Sequence, residues 1–262
     1  MTTTVPKQCV ILAGGKGTRL AEETSQIPKP MVEIGGKPIL WHIMKYFYSF
    51  GVEEFIICLG YRGYVIKEYF ANYTLHNSNV TFDFKEDRIE THENSAENWR
   101  VSLVDTGMET MTGGRLKRIL NYLGNDDFFF TYGDGLGNID LATLVKLHKR
   151  SGRLATVTAT NPPNRFGAMS IENTRVTKFK EKPVGDGSWI NGGFFVLAPE
   201  VIEFITDDET IWESTPMQRL AKASQLSVYK HSGFWQPMDT LAEKILLNRL
   251  WDSGEAPWRV WS

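Results

Sequence analysis

Two stretches of the chain combine residue types able to hold phosphate. Behind a short apolar run stand Leu12-Ala13-Gly14-Gly15-Lys16-Gly17-Thr18-Arg19-Leu20. Glycines there let backbone amides approach phosphate oxygens that a Cβ would keep away, and Arg19 adds a charged fork. The loop is not a P-loop, because no GxxxxGK[ST] occurs, nor a dinucleotide fingerprint, because Gly15-x-Gly17 lacks the third glycine. Alone it could equally be a tight strand-to-helix turn. Shortly after it, however, comes Pro28-Lys29-Pro30-Met31. A lysine between two prolines has its backbone fixed at low entropic cost, which suits a positive charge that must meet a phosphate at a defined place.

Two aspartates are candidates for a hard cation. Asp134 lies just beyond the apolar strand Phe128 to Tyr132, at the edge where ligands of an α/β sheet bind; an ordinary Asp-Gly turn is the plain alternative. Asp239 precedes the last helix, which it or Thr240 could cap, and Thr240-x-x-Glu243 fits a capping box. The five histidines are scattered without HxxH or HxxxH spacing, so zinc has no support. Cys9 and Cys58 each sit in an apolar strand-like run, as buried reduced thiols do.

The elements that must position these residues follow from periodicity. Residues 8 to 15 read as a strand ending in glycines, 38 to 50 as a helix with Pro38 in its first turn, and 54 to 60 as a second buried strand. The order repeats at VIKEYFANY followed by VTFDF, and then in a helix at 114 to 123, a strand at 128 to 133, a helix at 140 to 150 and a strand at 154 to 160. Strand-like alternation fills 167 to 197, and a last helix is expected near 240 to 251. This predicts an α/β fold with a Rossmann-like mixed, mainly parallel sheet flanked by helices, its ligand site at the carboxyl ends of the strands. The polar segment 74 to 105 reads as a small β-rich insertion, an exposed arm that could meet a partner.

At 262 residues one elaborated domain is expected, with a nucleotide-binding half at about 1 to 135 and a second half at about 136 to 262. A formal charge of -2 supplies no broad basic field for nucleic acid. The apolar run Cys9 to Ala13 is far shorter than the roughly 18 residues of a membrane span, so no membrane association and a cytoplasmic enzyme are expected.

Taken together, the GTR loop followed by PKPM resembles the signature of the sugar-phosphate nucleotidyltransferases, or nucleotide-sugar pyrophosphorylases. Further matches run in order along the chain: Gly133-Asp134, Glu181-Lys182-Pro183, Asn191-Gly192-Gly193 and Met238-Asp239. The resemblance implies that Leu12, Ala13, Gly14, Gly15, Gly17, Thr18, Arg19, Lys29, Thr112, Arg115 and Gly133 contact the nucleotide. It implies that Lys182, Asn191 and Gly192 contact the sugar phosphate, that Arg19, Lys29 and Lys182 are catalytic, and that Asp134 and Asp239 hold Mg²⁺. Many members carry GTRL-x-P-x-T, whereas this chain has Glu22-Glu23 and no proline there. With the blocks MTGGRLKRIL and GFWQPMDTL, that departure resembles the cytidylyl branch, which implies CTP and glucose 1-phosphate as partners, the rival being the same chemistry with UTP, dTTP, GTP or ATP; a homo-oligomer is expected. A metal-dependent glycosyltransferase would be expected to show a DxD pair where this chain has Gly133-Asp134-Gly135, and a non-catalytic sensing module would tolerate loss of the lysines and aspartates. Trp235 is placed at the rim of the site, and Trp258 and Trp261 of the tail against the body or a neighbouring subunit.

Overall fold

A computed structural model describes residues 4–161, 168–172, 175–180 and 189–261. Seven strands form the central sheet: β1 (Gln8–Leu12), β2 (Glu54–Leu59), β3 (Arg100–Asp105), β4 (Phe128–Tyr132), β5 (Ala155–Thr160), β6 (Ile190–Leu197) and β7 (Leu226–His231). Their order across the sheet is β7-β5-β6-β4-β1-β2-β3. All neighbours are parallel except β6, which runs antiparallel to both β5 and β4. β6 comes from the second half of the chain yet lies beside β4 of the first, so one sheet spans both halves.

The apolar runs of β1 and β4 follow from burial on both faces. On β1, Cys9 and Ile11 face one core cluster while Val10 and Leu12 face another. Six helices of seven residues or more cover the described sheet: α1 (Ile39–Tyr48), α2 (Gly63–Ala71), α3 (Thr112–Arg118), α4 (Leu141–Ser151), α5 (Thr215–Lys222) and α6 (Leu241–Asp252). α1 begins directly after Pro38, whose φ of -55° suits a helix start. α4 is capped by Asp140, whose carboxylate accepts from the Thr143 amide, and it ends at Gly152 in the left-handed region.

Two expectations need correction. VTFDF does not join the main sheet: Asn79–Asp83 pairs with Arg88–His92 in a separate ribbon on which Phe84 is 91% exposed. The strand that extends the parallel sheet is RVSLVD, at residues assigned to the arm. As an edge strand it has only one paired neighbour and Val104 as its one buried residue, so its sequence lacks the apolar run of a central strand. The helix expected at 114 to 123 starts earlier, at Thr112, and gives way after Arg118 to a separate 3-10 turn at Leu120–Tyr122. No helix among the described residues is long and apolar enough to cross a membrane.

Candidate active site

At the carboxyl ends of β1 and β4 a cleft of about 410 Å³ opens, where a ligand of such a sheet is expected. Leu12, Ala13, Gly14, Gly15, Gly17, Thr18, Lys29, Thr112, Arg115, Gly133, Asp134 and Asp239 all line it. The loop leaves β1 with the Ala13 amide bonded to Cys58 O, whereas the amides of Gly14, Gly15 and Lys16 meet no acceptor among the described residues. Three successive unspent donors, the first two on glycines that line the cleft, suit an anion. Arg19 lies on the 3-10 turn Thr18–Leu20, and its side chain lies outside the described set.

Arg115 approaches that loop from beneath and is only 5% exposed. Its guanidinium donates to Leu59 O, Thr106 Oγ1, Gly107 O, Gly14 O and Met108 O. A Cβ on Gly14 would come within 2.2 Å of Arg115 Nη1, so a side chain there would push the guanidinium away from its acceptors. Arg115 therefore both lines the cleft and bolts the first glycine of the loop to β2 and to the turn after β3.

Asp134 and Asp239, 105 residues apart, are brought together by a two-stranded ribbon. Trp235–Pro237 pairs antiparallel with Gly135–Gly137, and the Met238 amide donates to Asp134 O at 2.8 Å, so the aspartates flank the ribbon's end. Both carboxylates converge on one cation: Lys29 Nζ stands 2.6 Å from Asp134 Oδ2 and 2.5 Å from Asp239 Oδ1. Burial acts to lower the Lys29 pKa, but the ion pairs with Asp134 and Asp239 outweigh it and hold the ammonium above its ordinary value. Lys29 opens the 3-10 turn Lys29–Met31, with Pro28 as cap and Pro30 inside it, so the prolines do fix its backbone.

The cap of α6 belongs to Thr240. Its hydroxyl accepts from the Glu243 amide, and Glu243 Oε2 in return accepts from the amides of Asp239 and Thr240. The Asp239 carboxylate is thus turned to the cleft and not to the helix. Of the acidic pair in the loop, Glu23 forms an ion pair with Lys244 of α6 at 2.6 Å, tying the loop to the helix that follows Asp239.

Asn191 and Gly192 lie at the start of β6, where the ladder with β5 shifts register: Val157 pairs with Phe195 but Ala159 pairs with Asn191. The extra residues form a bulge in which Gly193 takes φ +78°, and a Cβ there would stand 2.6 Å from the Tyr132 ring. The bulge sets Asn191 Nδ2 3.2 Å from Tyr132 Oη, and Gly192 O accepts from Trp235 Nε1 at 2.7 Å. Trp235 thus supports the bulge. Lys182 lies outside the described residues. Three residues of this region carry no expectation from the sequence: Thr110 and Tyr132, which line the cleft, and Glu213, which accepts from the Tyr132 and Thr112 hydroxyls. Tyr132 could have been found as the last residue of the strand before Gly133-Asp134; Glu213 sits in no motif.

A family model described as nucleotidyl transferase matches residues 8–236. The chain is 58% identical over 255 residues to the glucose-1-phosphate cytidylyltransferase of Salmonella typhi, covering 97% of this chain and 99% of that one. It is 29% identical over 249 residues to a mannose-1-phosphate guanyltransferase of Yarrowia lipolytica, covering 90% of this chain and 63% of that one. A solved UDP-glucose pyrophosphorylase complexed with UDP-glucose superposes with a TM-score of 0.68 at 18% identity, covering 95% of this chain and 99% of that one, a likeness of fold. With a glycine loop, a proline-set lysine and paired aspartates meeting in one cleft, and a family match over most of its length, this chain belongs to the nucleotidyl transferase family.

Proposed function

We propose that the protein transfers CMP from CTP to α-D-glucose 1-phosphate, forming CDP-glucose and pyrophosphate. The observation that carries the chemistry is the convergence of Asp134 and Asp239 on Lys29 beside a loop with unspent amides. The choice of CTP and glucose 1-phosphate rests on the 58% identity to a relative of that name over nearly the whole of both chains.

The obstacle in this reaction is repulsion between anions. A sugar 1-phosphate has its second pKa around 6, so it arrives as a nucleophile and needs no general base. Tyr132, the titratable hydroxyl closest to hand, is held protonated by burial and by Glu213, both of which push its pKa up. The protein's part is then positioning and charge neutralisation around an in-line attack on the α-phosphorus. The loop amides hold triphosphate oxygens, with Arg19 and Lys29 set against the triphosphate and the leaving pyrophosphate. Arg115 and Thr112 support the nucleotide side from α3. Lys182, Asn191 and Gly192 take the sugar phosphate, so the nucleotide falls mainly to the half at about 1 to 135 and the sugar mainly to the remainder.

Mg²⁺ fits the donor set. Two carboxylates from separate elements already share one cation, and among the described residues no third His, Cys, Asp or Glu joins them. One or two carboxylates completed by substrate phosphates is the pattern magnesium prefers over an all-protein cage. When bound between Asp134 and Asp239, the ion would supply neutralisation of the triphosphate.

The test is pyrophosphate release by purified protein with Mg²⁺ and glucose 1-phosphate, comparing five triphosphates at equal concentration. CTP is expected to be used fastest, with some use of UTP. Cytosine presents a 4-amino donor and a bare N3 where uracil presents a carbonyl and an N–H, and each mismatched buried group costs about 1 to 3 kcal/mol. Faster release from dTTP, GTP or ATP would overturn the assignment.

A further inference from the structure

Between the nucleotide side and the sugar side runs a chain of hydrogen bonds with Glu213 at its centre. Thr112 Oγ1 donates to Glu213 Oε2 at 2.7 Å, and Tyr132 Oη donates to Glu213 Oε1 at 2.5 Å. Tyr132 Oη accepts in turn from Asn191 Nδ2, and Asn191 Oδ1 accepts from the Gly193 amide at 2.9 Å. Because the carboxylate only accepts, the Tyr132 proton is committed to it and the phenol oxygen is left to accept from Asn191. The amide orientation of Asn191 is thereby fixed from both ends, leaving one N–H and one lone pair for a ligand hydroxyl.

The two ends of this chain are not equally well held without it. The start of α3 is clamped by backbone bonds from Met111 to Asp208 O and from Gly113 and Gly114 to Thr210 O, and the Trp212 amide donates to Thr112 Oγ1. Gly114 packs so closely that a Cβ would stand 2.6 Å from Asp208 Cα. Asn191, by contrast, is exposed at a bulge, and its side chain is tied to Tyr132 and to the amide two residues on. Support therefore runs from the clamped nucleotide side, through Glu213, to the sugar side.

We infer that Glu213 is a positioning residue for the sugar-phosphate subsite, presenting Tyr132 and Asn191 in the geometry that recognises the hydroxyls of a hexose 1-phosphate. This rests on the function proposed above. Charge-assisted hydrogen bonds of this kind are about twice as strong as neutral ones, so their loss is felt at the group they hold.

The experiment measures kcat and KM for both substrates in the wild type, Glu213→Ala, Tyr132→Phe and the double variant. Glu213 is exposed and Tyr132→Phe keeps the ring, so neither change opens the core. In Glu213→Ala the KM for glucose 1-phosphate is expected to rise about tenfold while that for CTP stays within about twofold. The preference for glucose 1-phosphate over its C2 and C4 epimers should fall in parallel. The double variant should lose no more than the worse single variant, because both act through one chain. An unchanged KM for the sugar phosphate, an equal rise in KM for CTP, or additive losses would each overturn the inference. Wild-type protein inactive with CTP and glucose 1-phosphate overturns the proposed function and this inference together; active wild type with an unmoved sugar KM in Glu213→Ala overturns this one alone.

Discussion

Asp239→Asn separates the work of the carboxylate from that of the helix cap beside it. Asp239 Oδ1 lies 2.5 Å from Lys29 Nζ, while α6 is capped by Thr240 and Glu243. Asparagine keeps the size and the main chain, so the capping box survives and one negative charge is lost. Removing one of two carboxylates that would hold magnesium is expected to lower turnover by about 10²-fold or more, which is about 2.7 kcal/mol of transition-state stabilisation. Lys29 keeps Asp134 as a partner and can still donate to the side-chain oxygen of the new asparagine, so exchanging one ion pair for a bond to a neutral acceptor should cost the free protein only about 1 kcal/mol. Thr240→Ala should do the opposite, costing about 1 kcal/mol of stability and leaving turnover within about twofold. The assay is the initial rate of pyrophosphate release at saturating CTP and glucose 1-phosphate across a magnesium titration, paired with urea unfolding of each variant. Wild-type turnover and magnesium dependence in Asp239→Asn, or an equal rate loss in Thr240→Ala, would refute the reasoning.

Lys29→Ala should chiefly impair use of the triphosphate and Lys182→Ala use of the sugar phosphate, because in the proposed reaction the two charges would serve opposite sides of the α-phosphorus; intact sugar-phosphate kinetics in Lys182→Ala would remove that lysine from the proposed site. Burial holds the His42 imidazole at a pKa of about 4, with Nε2 against Ile34 O and Nδ1 accepting from Trp258 Nε1. Its folded pKa lies below the unfolded value near 6.5, so the unfolded chain binds the extra proton first. Its contribution to stability is complete above about pH 6.5 and falls by about 3 kcal/mol as pH drops to about 4. Unfolding curves of wild type and His42→Gln across that window should converge as pH falls, and a constant gap would contradict this. Burial raises both thiols, Cys58 to about 12, so neither should react with iodoacetamide at pH 8 until urea is added. Labelling of folded protein at the rate of a free thiol would count against it.

What the sequence disclosed and what it withheld divide along physical lines. That the loop, the proline-set Lys29, Asp134 and Asp239 belong to one cleft was legible because residue types suited to phosphate or a cation at a particular backbone geometry leave a local signature. Arg115 was legible as a residue of the cleft, but its five acceptors, four of them backbone carbonyls, come from β2, the glycine loop and the turn after β3, which no spacing announces. Glu213 was invisible because its role is set by two hydroxyls distant in sequence, and IWES carries no pattern. The confusion of VTFDF with RVSLVD has the same origin. Both have the alternation of a half-buried strand, and only the pairing of Arg100 to Asp105 with β2 decides which joins the sheet.

In the function proposed above, the bolt beneath Gly14 bears on how tightly a triphosphate is held. A phosphate-binding loop free to wander must be ordered at the moment of binding, and each immobilised residue subtracts from affinity. Here the entry to the loop is already immobilised by Arg115, by the Tyr61 amide bonded to Gly14 O and by the Ala13 amide bonded to Cys58 O. Part of that ordering cost is met during folding. In that proposed function, an incoming anion would find the entry to the loop at Gly14 already set in place.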